Sequence, residues 1–162
     1  VNRPPIVIIG YGNPSRGDDA VGPLLIEELE QEERVINSPS EYELITDFQL
    51  QIEHVTDLEE RKLLLFVDAS LSAKPPFEFS RLTPGMDHSY TSHSLTPATL
   101  LSIFETVFKQ PSPPAYLLKI PGYQFDLGMP LSQKSSHHLK QAKHFIHALI
   151  KDPRQESWEH QL

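Results

Sequence analysis

Two acidic positions and one histidine carry the residue types in this chain that could do chemistry. The pair Asp18-Asp19 ends a glycine-rich loop, Asp68 ends a run of five apolar residues, and His93 stands in a polar segment shortly before a proline. Two carboxylates and one imidazole, with open positions for water or substrate, suit a borderline divalent ion such as zinc or nickel. Carboxylates alone would favour magnesium or calcium. We therefore take Asp19, Asp68 and His93 as candidate metal ligands.

The loop with the acidic pair, GYGNPSRGDD, runs from Gly10 to Asp19. Its glycines permit a tight turn and a close backbone approach, as in nucleotide-binding loops. However, Asp18 stands where a phosphate-binding loop needs lysine, and two carboxylates would repel a phosphate. No glycine occupies the third position of a dinucleotide fingerprint. The loop therefore predicts no nucleotide site.

The two neighbouring acids are expected to have different roles. One carboxylate suffices to cap the helix that follows, where exposed N–H groups and the helix dipole favour negative charge. We assign the capping or loop-organising role to Asp18 and the chemical role to Asp19, although the sequence allows the reverse. Gly12 and Asn13, in the same loop, are candidate substrate-binding positions together with Asp18.

Other familiar catalytic patterns are missing from the sequence. The chain has no cysteine, which excludes disulfides, thiolate ligands and a cysteine nucleophile. It contains neither H-E-x-x-H nor G-x-S-x-G, the patterns of a thermolysin-like zinc helix and of the usual serine-hydrolase elbow. His137, His144 and His147 fall on one helical stripe opposite an apolar one, which predicts a solvated face.

The segments that must position these residues alternate between strand and helix patterns. Ile6–Gly10 and Leu63–Val67 are continuous apolar runs, which indicates strands covered on both faces. Thr96-Pro97 offers a capping hydroxyl followed by proline, the preferred opening of a helix. The other predicted strands are 42–46, 77–82 and 115–120, and the other predicted helices are 21–33, 49–60 and 132–151.

This alternation predicts a three-layer α/β sandwich, with a mostly parallel twisted sheet, one edge or antiparallel strand, and helices on both faces. In such sheets, sites form at the carboxyl ends of the strands. Turns at separate strand ends can therefore bring Asp19, Asp68 and His93 to one crevice. We expect a single domain over residues 1–151 and a polar, frayed tail over 152–162.

The amino-acid composition limits the kinds of partner that this protein can bind. A chain of 162 residues, 38% hydrophobic and 22% charged, fits one globular domain. The net charge of −8 opposes nucleic-acid binding, which needs a basic surface. No apolar run reaches the roughly 20 residues of a membrane span, and the N-terminal residues show no signal peptide. We therefore expect no membrane partner and a cytoplasmic location.

The stretch IVIIGYGNPSRGDDAVGP resembles the N-terminal signature of the hydrogenase maturation endopeptidases, roughly G-x-G-N, four variable residues, then D-D/E and a helix. The VDAS segment around Asp68 and the segment around His93 follow in the order and at the separations expected for that family. The resemblance extends from Ile6 to about Ile150. FQLQIEH, PPFEFSRL and YTSHSLTP are similar to the branch that serves NAD-linked bidirectional hydrogenases.

The resemblance implies an endopeptidase that removes the C-terminal extension of a [NiFe]-hydrogenase large-subunit precursor after nickel insertion. It implies that Asp19, Asp68 and His93 contact nickel, which the precursor presents on its own cysteines; zinc or cadmium can occupy such a site in vitro. Asp47 matches a region near the family's cleft and is expected to position the substrate tail. The attacking water could be activated by the metal or by a carboxylate, with Asp19 and Asp68 as candidates.

Two other functions stay open on the sequence. A non-catalytic nickel-binding maturation chaperone would use the same three side chains, and no residue excludes it. The opening IGYGNP also resembles that of peptidyl-tRNA hydrolases. However, the T-R-H-N segment that leads to their catalytic histidine is missing, and the acidic balance opposes tRNA binding.

Overall fold

A single five-stranded sheet organises the chain. The computed structural model describes residues 3–36, 41–85 and 95–162. The strands span Ile6–Tyr11 (β1), Tyr42–Asp47 (β2), Leu63–Ser70 (β3), Glu78–Leu82 (β4) and Ala115–Pro121 (β5). They lie in the order β2-β1-β3-β5-β4, with β4 antiparallel to β5 and all other pairs parallel. The predicted mostly parallel sheet with one antiparallel edge strand is confirmed.

In the described part of the chain, four α-helices and two 3-10 segments flank the sheet. The helices span Val21–Ile36 (α1), Pro97–Phe108 (α2), Gln133–Lys151 (α3) and Gln155–Glu159 (α4), and the 3-10 segments span Gly17–Ala20 and Ile52–Leu58. The Thr96 hydroxyl accepts a hydrogen bond from the Thr99 N–H at 3.2 Å, which confirms the predicted cap of α2. Ser132 caps α3 in the same way, by accepting from the Ser135 N–H at 3.1 Å.

The strands of the sheet divide the apolar residues between two cores. On one face, Ile8 of β1 packs in a cluster with residues of α1, α3 and α4. On the other, Ile9 of β1 packs in a cluster with residues of α2 and the Ile52–Leu58 segment. Burial of each such side chain is worth roughly 1.5–3 kcal/mol. Two-sided burial explains why β1 and β3 are continuously apolar in the sequence.

The helix predicted over residues 49–60 is a 3-10 segment over Ile52–Leu58 instead. Its start is fixed by a reciprocal pair of bonds: the Gln51 N–H donates to His54 Nδ1 at 2.8 Å, and the His54 N–H donates to the Gln51 carbonyl at 3.0 Å. A side chain that bonds the local backbone in this way competes with α-helical pairing.

The tail predicted to be frayed is ordered in the structure. Trp158 of α4 is 1% exposed, and its indole N–H donates to the Leu149 carbonyl at 3.0 Å. Its ring meets Tyr116 edge to face at 5.3 Å between centroids. The prediction failed because a five-residue helix with one large apolar residue has no detectable periodicity.

Among the described residues, no helix combines the length and the apolar character that crossing a bilayer would require.

Candidate active site

The site lies where three neighbouring strands end. Tyr11, the last residue of β1, pairs with Asp47, the last residue of β2. On its other side, Gly10 pairs with Val67 of β3, so Asp68 follows at the same level. An open cavity of about 320 Å³ lies at this edge. Asp19 and Asp68 both line it, so the structure brings together the two predicted acids. The other lining residues are Tyr11, Gly12, Phe48, Gln49, Leu50, Leu95, Thr96 and Pro97.

Asp19 is held at the cavity by the turn before α1. It lies in the 3-10 segment Gly17–Ala20, and its Oδ2 accepts a hydrogen bond from the Asn13 N–H at 2.6 Å. Gly12 permits this approach, because its φ is +153° and a Cβ there would lie 1.9 Å from the Asp19 carbonyl oxygen. The glycine and the asparagine of the loop thus place the acid, a role visible in the sequence only as the G-x-G-N spacing.

Asp68 lines the cavity with a carboxyl group whose pKa is strongly raised. Burial and the neighbouring charge of Asp19 raise its pKa to about 7, against the opposing effects of the Tyr11 hydroxyl, the Ala69 N–H and Lys119. A carboxyl group that titrates near neutral pH can hold or accept a proton under working conditions, which is the property of a general acid or base.

Tyr11 completes the group and was missed by the sequence analysis. The residue is 9% exposed, and its hydroxyl donates a hydrogen bond to the Asp68 carboxylate. Burial, followed by the charge of Asp68, raises the pKa of Tyr11 well above its ordinary value, so the hydroxyl keeps its proton. The available signal was a hydroxyl-bearing residue at the end of an otherwise apolar strand.

Asp18 does not line the site cavity. Its side chain is fully buried and accepts hydrogen bonds from the N–H groups of Tyr123 (2.7 Å), Gln124 (3.2 Å) and Ser132 (2.6 Å) and from the Ser132 hydroxyl (2.8 Å). Burial raises the pKa of Asp18, but these hydrogen bonds outweigh it and the pKa lies below its ordinary value. A substrate cannot reach this carboxylate, so the expectation of substrate contact is corrected: only the loop-organising role fits.

Asp47 stands beside the cavity, at the start of a neighbouring groove. Its Oδ1 accepts from the Phe48 N–H at 2.7 Å, and its Oδ2 lies 3.3 Å from His54 Nε2. Its carbonyl accepts from the Gly12 N–H at 3.0 Å, which joins the end of β2 to the first loop. Phe48, which follows it, is 67% exposed.

The third predicted ligand, His93, lies outside the described residues. Leu95, two positions later in the sequence, lines the cavity. Within residues 3–36, 41–85 and 95–162, no group of three or more His, Cys, Asp or Glu side chains could hold a metal ion. Asp19 and Asp68 supply two oxygen donors, so the described part of the site fits part of a metal-binding set.

The histidines predicted to be solvated lie on the exposed side of α3. His137 and His144 are exposed, and His147 Nε2 lies 2.7 Å from Glu32 of α1. Lys143 also contacts Glu32, with Nζ at 2.9 Å from Oε1. This side of α3 therefore contributes ion pairs between two helices.

Comparison with known proteins gives similarity at the level of structure. No protein-family model matches the chain, and no curated protein matches it. Solved structures do match over nearly their whole length. A [NiFe] hydrogenase maturation protease HycI from Thermococcus kodakarensis KOD1 is 23% identical with a TM-score of 0.70, over 92% of this chain and 94% of that one.

Two further similar structures are also of hydrogenase maturation peptidases. The hydrogenase maturating endopeptidase HybD from E. coli is 20% identical with a TM-score of 0.70, over 91% of this chain and 93% of that one. A hydrogenase 2 maturation peptidase from Thaumarchaeota archaeon SCGC_AB-539-E09 is 19% identical with a TM-score of 0.59, over 87% of this chain and 94% of that one. The predicted resemblance thus holds for the structure, and the chain has the fold of the hydrogenase maturation proteases.

Proposed function

We propose that this chain is an endopeptidase that removes the C-terminal extension of a [NiFe]-hydrogenase large-subunit precursor after nickel insertion. The observation that carries the proposal is the pair of carboxylates, Asp19 and Asp68, at one open cavity. The cavity lies at the carboxyl edge of the sheet, where sites of such folds form. The fold shared with maturation proteases supports the choice of substrate.

Nickel enters this proposal as part of the substrate. Asp19, Asp68 and His93 would recognise the ion that the precursor carries, with His93 included on the sequence resemblance. Carboxylate oxygen and imidazole nitrogen are suitable ligands for nickel. The ion would supply Lewis acidity near the scissile bond. A precursor without nickel lacks these contacts, so processing is selective for the loaded form.

The chain's own residues can manage the proton transfers. In the metal-free site the pKa of Asp68 is about 7. Beside the nickel-bearing precursor, its carboxylate would accept a proton from the attacking water. The water oxygen bonds to the scissile carbonyl carbon, and the proton passes through Asp68 to the leaving nitrogen as the C–N bond breaks. The Tyr11 hydroxyl donates to the Asp68 carboxylate and stabilises its charged form before the transfer. Asp19 lies beside it at the same cavity.

The test is cleavage of purified precursor, loaded with nickel or free of it. We expect tail removal only from the loaded form, and a loss of about 10²-fold or more in rate for Asp19→Asn, Asp68→Asn and His93→Ala. Asp126→Asn, an exposed acid away from the cavity lining, is the matched control and should cleave normally. Unchanged cleavage by all three site variants would rule out the site. Nickel-dependent binding without any cleavage would instead favour the maturation chaperone.

A further inference from the structure

A groove leads away from the carboxylate pair along α1. Beyond Gly12 and Phe48, which line the site cavity, a second cavity of about 310 Å³ opens against Thr46 and Asp47. A third, of about 430 Å³, shares Pro14, Pro23 and Thr46 with the second. We call these two cavities the outer groove. Because neighbouring cavities share lining residues, one extended segment could pass from the site into the outer groove.

The outer groove has an apolar floor and an acidic wall. Pro14, Pro23 and the exposed Phe48 provide the apolar surface, and Glu27 and Glu30 of α1 line the far cavity. In the described part of the chain, neither glutamate forms an ion pair or a side-chain hydrogen bond. Among the residues that the structure describes, no Lys, Arg or His side chain lines either cavity. Lysine and arginine suit such a surface, because their stems pack on apolar groups while their charged ends reach carboxylates.

The dimensions of the groove fit a short extended peptide. From Pro23 to Gln31, α1 rises roughly 12 Å, the length of about four residues of extended chain. Thr46 belongs to β2, an edge strand of the sheet. One side of β2 pairs with no other strand of the described chain. A free strand edge can hold an extended peptide through backbone hydrogen bonds.

From this continuity and charge we propose that the outer groove binds a basic, extended stretch of the precursor's C-terminal extension, downstream of the bond that is cut. The inference rests on the proposed function for the identity of the substrate. We assign the outer groove to the extension because the extension is cut at the site. It is also the part of the precursor that leaves after cleavage. Its basic residues would lie about four or more positions beyond the scissile bond, opposite Glu27 and Glu30.

Peptide binding tests the groove without relying on cleavage. The probe is a fluorescein-labelled ten-residue peptide of alanine and glycine with two lysines, compared by anisotropy with the same peptide carrying two glutamines. We expect the lysine peptide to bind more tightly, and Glu27→Gln/Glu30→Gln to weaken it about three- to tenfold. The matched control is Glu60→Gln/Glu156→Gln, which removes two exposed acids outside the groove. Equal weakening by the control, or no weakening by the groove variant, would overturn the proposal.

A second readout separates this inference from the proposed function. On nickel-loaded precursor, Glu27→Gln/Glu30→Gln should raise KM and leave kcat unchanged, because it removes binding that is equal in ground and transition states. Asp19→Asn should abolish cleavage yet bind the lysine peptide normally. If no variant or wild-type protein cleaves precursor while the peptide results hold, the protease function fails and the cationic-peptide groove stands. A fall in kcat with normal peptide binding would overturn the assignment of the groove to the substrate tail.

Discussion

At the scale of single residues, the Asp68 carboxyl group links the site to folding stability. Its pKa is raised to about 7 in the folded chain and returns to about 3.9 on unfolding. Between these two values the folded state binds more protons than the unfolded state. The contribution of this group to the free energy of unfolding is therefore fully present below about pH 4. It is lost as the pH rises toward 7. Keeping a charged Asp68 beside Asp19 costs stability in the metal-free protein.

The substitution Asp68→Asn should remove this penalty. We expect the metal-free variant to be more stable than wild type at pH 8, with the gap closing by about 1.4 kcal/mol for each pH unit below 7. Urea unfolding in EDTA at pH 5, 6, 7 and 8 measures the difference. Asp126→Asn should follow the wild-type curve at every pH. A difference between Asp68→Asn and wild type that does not vary with pH would contradict the raised pKa.

The two adjacent acids of the first loop should lose different amounts of stability when each is changed to asparagine. Asp18→Asn replaces one carboxylate oxygen by an amide that faces N–H and O–H donors from Tyr123, Gln124 and Ser132. Each hydrogen bond to a charged acceptor is worth about 1.5–3 kcal/mol, so we expect a loss of about 2–4 kcal/mol in the free energy of unfolding. Asp19→Asn, with one bond from the Asn13 N–H, should lose much less.

Equilibrium unfolding of the two single variants in urea at pH 7 makes that comparison. Similar stabilities would mean that the buried network around Asp18 is not essential for holding the loop at residues 121–132. Cleavage assays on the same samples should show the reverse order, with the larger loss of activity in Asp19→Asn.

At the scale of elements, sequence patterns predicted what hydrophobic periodicity can specify. The two-sided apolar runs of β1 and β3 and the capped start of α2 are confirmed. The loop spacing and Asp68 also led to the carboxylate pair, because parallel strands deliver their carboxyl ends to one edge. What could not be predicted depends on contacts distant in sequence: the buried Asp18 network, the Tyr11–Asp68 bond, and α4, whose single tryptophan fills a site between Leu149 and Tyr116.

The contribution of helix α4 to stability can be measured by removing the Trp158 side chain. Trp158→Ala removes a ring that is 1% exposed and leaves a cavity beside Tyr116, so we expect a loss of about 3–5 kcal/mol in the free energy of unfolding. Chemical denaturation monitored by far-UV circular dichroism gives the value, because the substitution removes the only tryptophan fluorophore. Leu162→Ala, at a side chain 55% exposed, is the control and should cost little. A loss below about 1 kcal/mol would mean that α4 does not contribute to the core.

At the scale of the whole molecule, the proposed function makes the site complete only when the precursor docks. The described chain offers two carboxylates at the cavity and an acidic groove beside it, on a protein of net charge −8. Like charges held close together repel one another in the unbound state. In the proposed function, the nickel that the precursor carries would relieve this repulsion. The proposed nickel requirement can therefore act through affinity as well as through chemistry.

This coupling predicts a difference in affinity between two forms of one precursor. Wild-type protein should bind nickel-loaded precursor at least about fivefold more tightly than nickel-free precursor, the lower end of typical coupling between two ligands. In the double variant Asp19→Asn/Asp68→Asn the difference should disappear, while affinity for the nickel-free form should stay the same or improve, because the repelling charges are gone. Biolayer interferometry with immobilised, slowly cleaved precursor at 4 °C measures both values. Equal affinities of wild type for the two forms, alongside nickel-dependent cleavage, would show that nickel acts only in the chemical step and that the carboxylate pair does not select the loaded substrate.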